Sequence, residues 1–130
     1  INVIDDTYNA NPASMQAAFE TLVALSQQER CIAVLGDMFE LGPERTKLHH
    51  ETGATAVRLG VDLVFALGDQ ADAVAQGAKD AGGSSQSHIN IETLKEALKE
   101  TVHSGDWVLI KGSRGMRMER IVEFLEGLEG

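Results

Sequence analysis

Three short, uninterrupted apolar runs constrain the fold more than any other feature of this chain: CIAVL at residues 31–35, LVFAL at 63–67 and WVLI at 107–110. A strand with one wet face alternates apolar and polar side chains, so a short run without polar interruption reads as a strand covered on both faces, as in a parallel sheet. Val3 and Ile4 read as a further buried strand, and residues 88–90 are at best a short one. Between these runs apolar side chains recur at helical spacing. Met15, Ala18, Phe19, Leu22 and Leu25 do so over residues 12–27, and His49, Gly53, Ala56 and Val57 share a stripe closed by Gly60. Ala71, Val74, Ala75 and Ala78 make a weaker stripe; Ile91, Leu94, Leu98 and Val102, then Met118, Ile121, Val122 and Leu125, make two more.

Strands alternating with helices imply βαβ units with right-handed crossovers. The expected architecture is therefore an α/β three-layer sandwich, Rossmann-like, with a mostly parallel sheet. The small residues of the second helix are expected to pack on that sheet, and Gly82, Gly83, Ser84 and Ser85 to form a flexible turn. All strand-to-helix loops then share one edge: residues 5–11, 36–42, Gly68-Asp69 and 111–114. In such sheets ligands bind outside the carboxyl ends of the strands.

Residues 1–14, INVIDDTYNANPAS, make the first of these loops the strongest functional candidate. Asn11 followed by Pro12 is a helix start, with Asn as N-cap and Pro in the first turn, and free N–H groups at such a start suit an anion. Asp5 and Asp6 are adjacent, so in a strand they point to opposite faces and make a poor acid–base pair, but one of them should face the rim. A carboxylate there accepts hydrogen bonds from ribose hydroxyls or holds a metal, or is simply a turn residue. Tyr8, the only Tyr, can stack on a base or pack half-buried; Asn9 and Asn11 can hold the loop.

At the other end, Lys111, Arg114, Arg117 and Arg120 place four of the 11 basic residues within ten positions of a chain whose net charge is −9. Arg114 lies four residues before Met118 and is expected on the inward stripe in the first helical turn, where a cation needs a negative partner. Either Lys111, Ser113 and Arg114 form a clamp for phosphate or carboxylate, or Arg114 forms an internal salt bridge to Asp37 or Asp69. Asp37 and Met38 read as loop residues with a ligand contact, and His49, a lone His on an inward stripe, as a core residue more readily than as a catalyst.

Composition sets bounds. With 130 residues, 43% of them hydrophobic, the chain suits a single domain over residues 1–130, and its lone Cys31 allows no intrachain disulfide. No apolar run approaches a membrane span, and the net acidity argues against a nucleic-acid surface, so the expectation is a cytoplasmic protein. A start on a strand without Met suggests a piece of a longer chain. His50 and Glu51 beside His49 make no metal motif, and neither GxxxxGK[ST] nor GxGxxG occurs.

Four segments together resemble one family: DDTYNANPASM at 5–15, AVLGDMFELG at 33–42, the His49-to-Gly53 spacing and VLIKGSRGMRME at 108–119. They are similar to the C-terminal domain of the Mur ligases, in the branch that adds D-alanyl-D-alanine. The resemblance implies a three-domain cytoplasmic enzyme of peptidoglycan precursor synthesis, acting on UDP-N-acetylmuramoyl-tripeptide and D-alanyl-D-alanine through an acyl phosphate. It implies that ATP and Mg²⁺ are held mainly by a central domain carrying the P-loop, and that the C-terminal domain completes the ATP and acceptor sites. It places Asp6 at the ribose, Tyr8, Asn9 and Asn11 at the nucleotide and phosphate, and Lys111, Ser113 and Arg114 near the acceptor or the transferring phosphoryl group. His49 stays ambiguous between architecture and substrate. Two rivals stand beside it. Asp5/Asp6, Asp69 and Lys111 mimic the pocket of a phospho-receiver signalling domain, although Gly112 stands where receivers usually have Pro. A plain nucleotide-binding or interaction module is the other.

Overall fold

The computed structural model describes residues 1–129. Strands β1 (Asn2–Asp6), β2 (Cys31–Gly36), β3 (Leu63–Leu67), β4 (Ser84–His88) and β5 (Trp107–Lys111) alternate with helices α1 (Pro12–Ser26), α2 (Arg45–Leu59), α3 (Ala71–Asp80), α4 (Ile91–Thr101) and α5 (Glu119–Glu129). The strands form one sheet in the order β1-β5-β2-β3-β4, every pair parallel.

Alternation along the strands divides the core in two. Cys31, Ala33 and Leu35 of β2 face Met15, Phe19 and Leu22 of α1 together with Ala56, Val74 and Ala78 of α2 and α3. Ile32 and Val34 face Leu94 and Leu98 of α4 and Met118, Ile121 and Leu125 of α5. Both faces are covered, which is why the central strands are apolar without interruption. From β1 to β4 the chain advances with α1, α2 and α3 on one face, and it returns to β5 with α4 on the other, so the crossovers keep one hand.

Two expectations change. Residues 84 and 85 belong to β4, not to a turn; β4 pairs with β3 from Leu63↔Ser84 to Leu67↔His88. As an edge strand its side chains are largely half-exposed or exposed, so a polar SSQSH run pairs through its backbone, with the Ser85 and Ser87 hydroxyls donating to the Ala75 carbonyl and to Asp72 of α3. Nor does Gly53 meet the sheet: a Cβ there would collide with the Val74 carbonyl of α3, and one on Gly77 with the His50 carbonyl of α2. The two glycines let the helix backbones touch. At the amino edge, the Arg30 guanidinium donates to both oxygens of Asp106, at 3.0 and 2.6 Å, and to the Thr101 carbonyl at 2.6 Å. This joins the start of β2, the end of α4 and the start of β5.

Gly53→Ala and Gly77→Ala should each force α2 and α3 apart and cost about 1–3 kcal/mol, read by urea unfolding, while exposed Gly127→Ala should not. Burial pushes the Asp106 carboxyl up, but the Arg30 guanidinium and the His103 amide outweigh it and hold the carboxyl below the usual range. The depressed value makes its stabilisation complete above the unfolded carboxylate pKa and lost as pH falls below about 4. Asp106→Asn should therefore lower stability at neutral pH and flatten its fall between about pH 5 and pH 3, as measured by thermal melts.

Candidate functional site

β1 and β5 lie side by side in register, so their last residues, Asp6 and Lys111, are direct neighbours although 105 positions apart in sequence. Lys111 Nζ donates to Asp6 Oδ2 at 2.9 Å and to the Asn9 carbonyl at 2.9 Å. The lysine side chain is 3% exposed and the Asp6 side chain 42%, so a buried ammonium fixes a carboxylate that still meets solvent. β1 leads to α1 on one face of the sheet and β5 toward α5 on the other, and the chain parts between them. That parting is the topological switch point at which open α/β sheets bind ligands. A cleft of about 420 Å³ opens there, lined by Ile4, Asp6, Tyr8, Ala18, Leu109 and Lys111 among others.

The first loop is held as its sequence implies. Asn11 Oδ1 accepts from the Ser14 amide at 2.8 Å while Ser14 Oγ accepts from the Asn11 amide at 3.0 Å, a reciprocal cap with Pro12 opening α1. Asn9 Oδ1 accepts from the Ala10 amide at 2.8 Å. Asp5 points to the opposite face, beside Ile1, Val3, Val122 and Glu126, and its Oδ1 accepts from the Thr7 hydroxyl at 2.8 Å. The two aspartates are thus split, and among the described residues no cluster of three His, Cys, Asp or Glu could hold a metal ion. The acidic pocket of a phospho-receiver is not assembled.

The loop after β2 ties the rim together. Asp37 is buried, and its two carboxylate oxygens accept from the Asp69 and Gln70 amides at 2.9 and 3.0 Å, ahead of α3. Gly68, at φ +123°, makes room: a Cβ there would lie 2.5 Å from the Asp37 carboxyl carbon. The Asp37 carbonyl accepts from the Ser113 amide at 3.0 Å, and buried Ser113 returns a contact by accepting from the Phe39 amide at 2.7 Å through Oγ. His49 is fully buried; Nε2 accepts from the Met38 amide at 2.9 Å, and Nδ1 donates to the Arg45 carbonyl at 2.6 Å. The partners assign this tautomer. Asp37, Ser113 and His49 all face protein backbone.

Arg114 is not where its spacing predicts. It opens a 3₁₀ turn (Arg114–Met116), Arg117 follows at φ +54°, and α5 starts only at Glu119, so Arg114 is exposed and off the inward stripe. Gly115 lies under the Phe39 ring, where a Cβ would come within 2.6 Å of Cε2. No carboxylate pairs with Arg114 among the described residues; its Cζ sits 5.1 Å from the Tyr8 ring centroid instead. Lys111, Ser113 and Arg114 therefore aim three ways from one loop: at Asp6, at Phe39 and over Tyr8. Sequence reasoning missed Phe39 as a rim residue, 46% exposed, and its signal was an aromatic between a strand end and a Gly-Pro break.

The chain is similar to known proteins in sequence and in fold. A family model described as "Mur ligase, glutamate ligase domain" matches residues 1–114. The UDP-N-acetylmuramoyl-tripeptide–D-alanyl-D-alanine ligase of Bacillus subtilis is 39% identical over 127 residues, 96% of this chain and 28% of that protein. The enzyme of the same name from Escherichia coli is 33% identical over 126 residues, 95% of this chain and 26% of that one. Among solved structures, MurF from Acinetobacter baumannii matches with a TM-score of 0.85 at 32% identity, covering 95% of this chain and 28% of that chain. MurF ligase from Thermotoga maritima in complex with ADP matches with a TM-score of 0.76 at 30% identity, covering 96% and 28%. The chain spans about 28% of the length of the first of these relatives.

Replacing Asp37 by Asn puts an NH₂ donor against one of the two amides it now accepts from. Asp37→Asn should cost about 1–3 kcal/mol in chemical unfolding and should raise hydrogen exchange at the Asp69 and Gln70 amides selectively.

Proposed function

The chain belongs to the Mur ligase family through its glutamate ligase domain, and from that membership we propose that it is the C-terminal domain of an ATP-dependent ligase joining D-alanyl-D-alanine to UDP-N-acetylmuramoyl-tripeptide. The similarity of nearly the whole chain to enzymes of that name supports the reading. The observation that carries it is the junction of the two motif loops, DDTYNANP and KGSR, through Lys111 and Asp6. In this reading residues 1–130 are one of three domains of a cytoplasmic enzyme, and the P-loop and Mg²⁺ belong to the central domain, this domain's partner in the same chain. An ADP complex among the similar structures supports a nucleotide as a ligand of the whole enzyme.

The chain's own groups then divide the work. Asp6 has Oδ2 on Lys111 and turns its exposed side to the ribose hydroxyls, while the Tyr8, Asn9 and Asn11 loop borders the nucleotide. Lys111 supplies positive charge at the switch point and keeps the loop at its height by holding the Asn9 carbonyl. Arg114 offers its fork to a phosphoryl oxygen or to the dipeptide carboxylate. Ser113, Asp37 and His49 serve the substrates at one remove, by fixing the loops that carry these groups. Phosphorylation of the tripeptide carboxylate by ATP gives an acyl phosphate; attack by the dipeptide amine forms the amide and releases phosphate. Positioning and charge supply the rate in such a reaction.

The full-length enzyme should release ADP only when both tripeptide precursor and D-alanyl-D-alanine are present; ATP hydrolysis indifferent to the dipeptide would overturn the reading. In that enzyme Lys111→Ala should lower kcat about a hundredfold with a smaller effect on folding, because the Asp6 side chain it abandons is 42% exposed and can rehydrate. The 130-residue chain alone, which has no GxxxxGK[ST] segment, should show only weak ATP binding in calorimetry.

A further inference from the structure

Arg114 lies on the surface of a chain with a net charge of −9, yet it rests on an aromatic ring rather than on a carboxylate. A guanidinium held over a ring by cation–π attraction makes no hydrogen bond to it, so the ring can fix the position of the fork without consuming its N–H donors. Both partners are held by their backbones while their tips stay exposed. Tyr8, 72% exposed, stands between Thr7, which donates to Asp5, and Asn9, whose carbonyl is held by Lys111. Arg114 follows Ser113, which is fixed to Phe39 and to Asp37, and precedes Gly115 under the Phe39 ring. The contact therefore links the loop after β1 to the loop after β5 a second time, above the Lys111–Asp6 pair.

We propose that Tyr8 is a positioning residue that acts through Arg114: its ring holds the guanidinium with the N–H edge turned to an anionic group of the substrates, a carboxylate or a phosphoryl group. This rests on the ligase reading and gives Tyr8 a task other than stacking on a base. The hydroxyl plays no part in it.

The test is a double-mutant cycle in the full-length ligase with Tyr8→Leu, Tyr8→Phe and Arg114→Ala, reading kcat and the KM of each substrate. Tyr8→Leu should weaken turnover about two- to fivefold, the scale of an exposed cation–π contact, with no change in melting temperature, and Tyr8→Phe should recover most of the loss. A loss in the dipeptide KM assigns the anion as its carboxylate; a loss in kcat assigns it as the phosphoryl group. The Tyr8→Leu effect should vanish in the Arg114→Ala background. A loss of the same size in both backgrounds, above all in the KM of ATP, would overturn the proposal and make Tyr8 a direct nucleotide contact, and a Tyr8→Phe defect equal to that of Tyr8→Leu would also overturn it. The ring-current shift of the Arg114 Nε–H resonance, present in wild type and Tyr8→Phe and lost in Tyr8→Leu, reads the contact without turnover, and its absence from wild type would overturn the proposal too. Dipeptide-independent hydrolysis alongside an intact shift would sink the ligase reading while leaving the contact standing.

Discussion

A buried ammonium at the parting of two strands is the interaction on which the functional edge depends. Lys111 is nearly inaccessible, and its charge is tolerated there because Asp6 neutralises it and the Asn9 carbonyl accepts a second hydrogen bond. The arrangement is asymmetric: the cation is dry and the carboxylate is half wet. Such a pair adds little to net stability, since desolvation offsets most of the attraction, but it specifies one geometry. It sets where the DDTYNANP loop sits relative to β5, and hence where Asp6, Tyr8 and Asn9 face.

The remaining loops are fixed by a different device. Asp37 spends its carboxylate on two amides ahead of α3 and its carbonyl on Ser113, while Met38 and Phe39 next to it are held by His49 and Ser113. One short segment after β2 thus binds the loops after β3 and β5 and, through His49, α2. Several of the polar residues on the rim are taken up in this lattice, whereas Asp6 stays half-exposed and Tyr8 and Arg114 stay exposed, as do Asn9, Glu40 and Asp69.

Much of this was legible in the residues. Uninterrupted apolar runs located the buried strands, Asn11-Pro12 located the start of α1, and the alternation of elements brought residues near both ends of the chain to one rim. What escaped was whatever depends on neighbours rather than on pattern. β4 is polar because it is an edge, and no apolar run announces it. Arg114 fits a helical stripe by spacing, but the left-handed Arg117 breaks that helix before it starts, and Arg114 lies over the ring of Tyr8, paired with neither Asp37 nor Asp69, the internal partners that were one of its two alternatives. Asp37 has the sequence character of a ligand contact, and only the position of the Asp69 and Gln70 amides makes it a structural acceptor.

The order of the strands carries a temporal consequence. β1, first along the chain, borders the sheet and touches no strand but β5, the last. During synthesis the opening segment waits unpaired until some hundred later residues have emerged, since loop closure over that separation precedes any gain from pairing. The edge that carries Asp6 and Lys111 is therefore the final part of this domain to take shape, and a domain that stops short of β5 leaves its first strand without a place in the sheet.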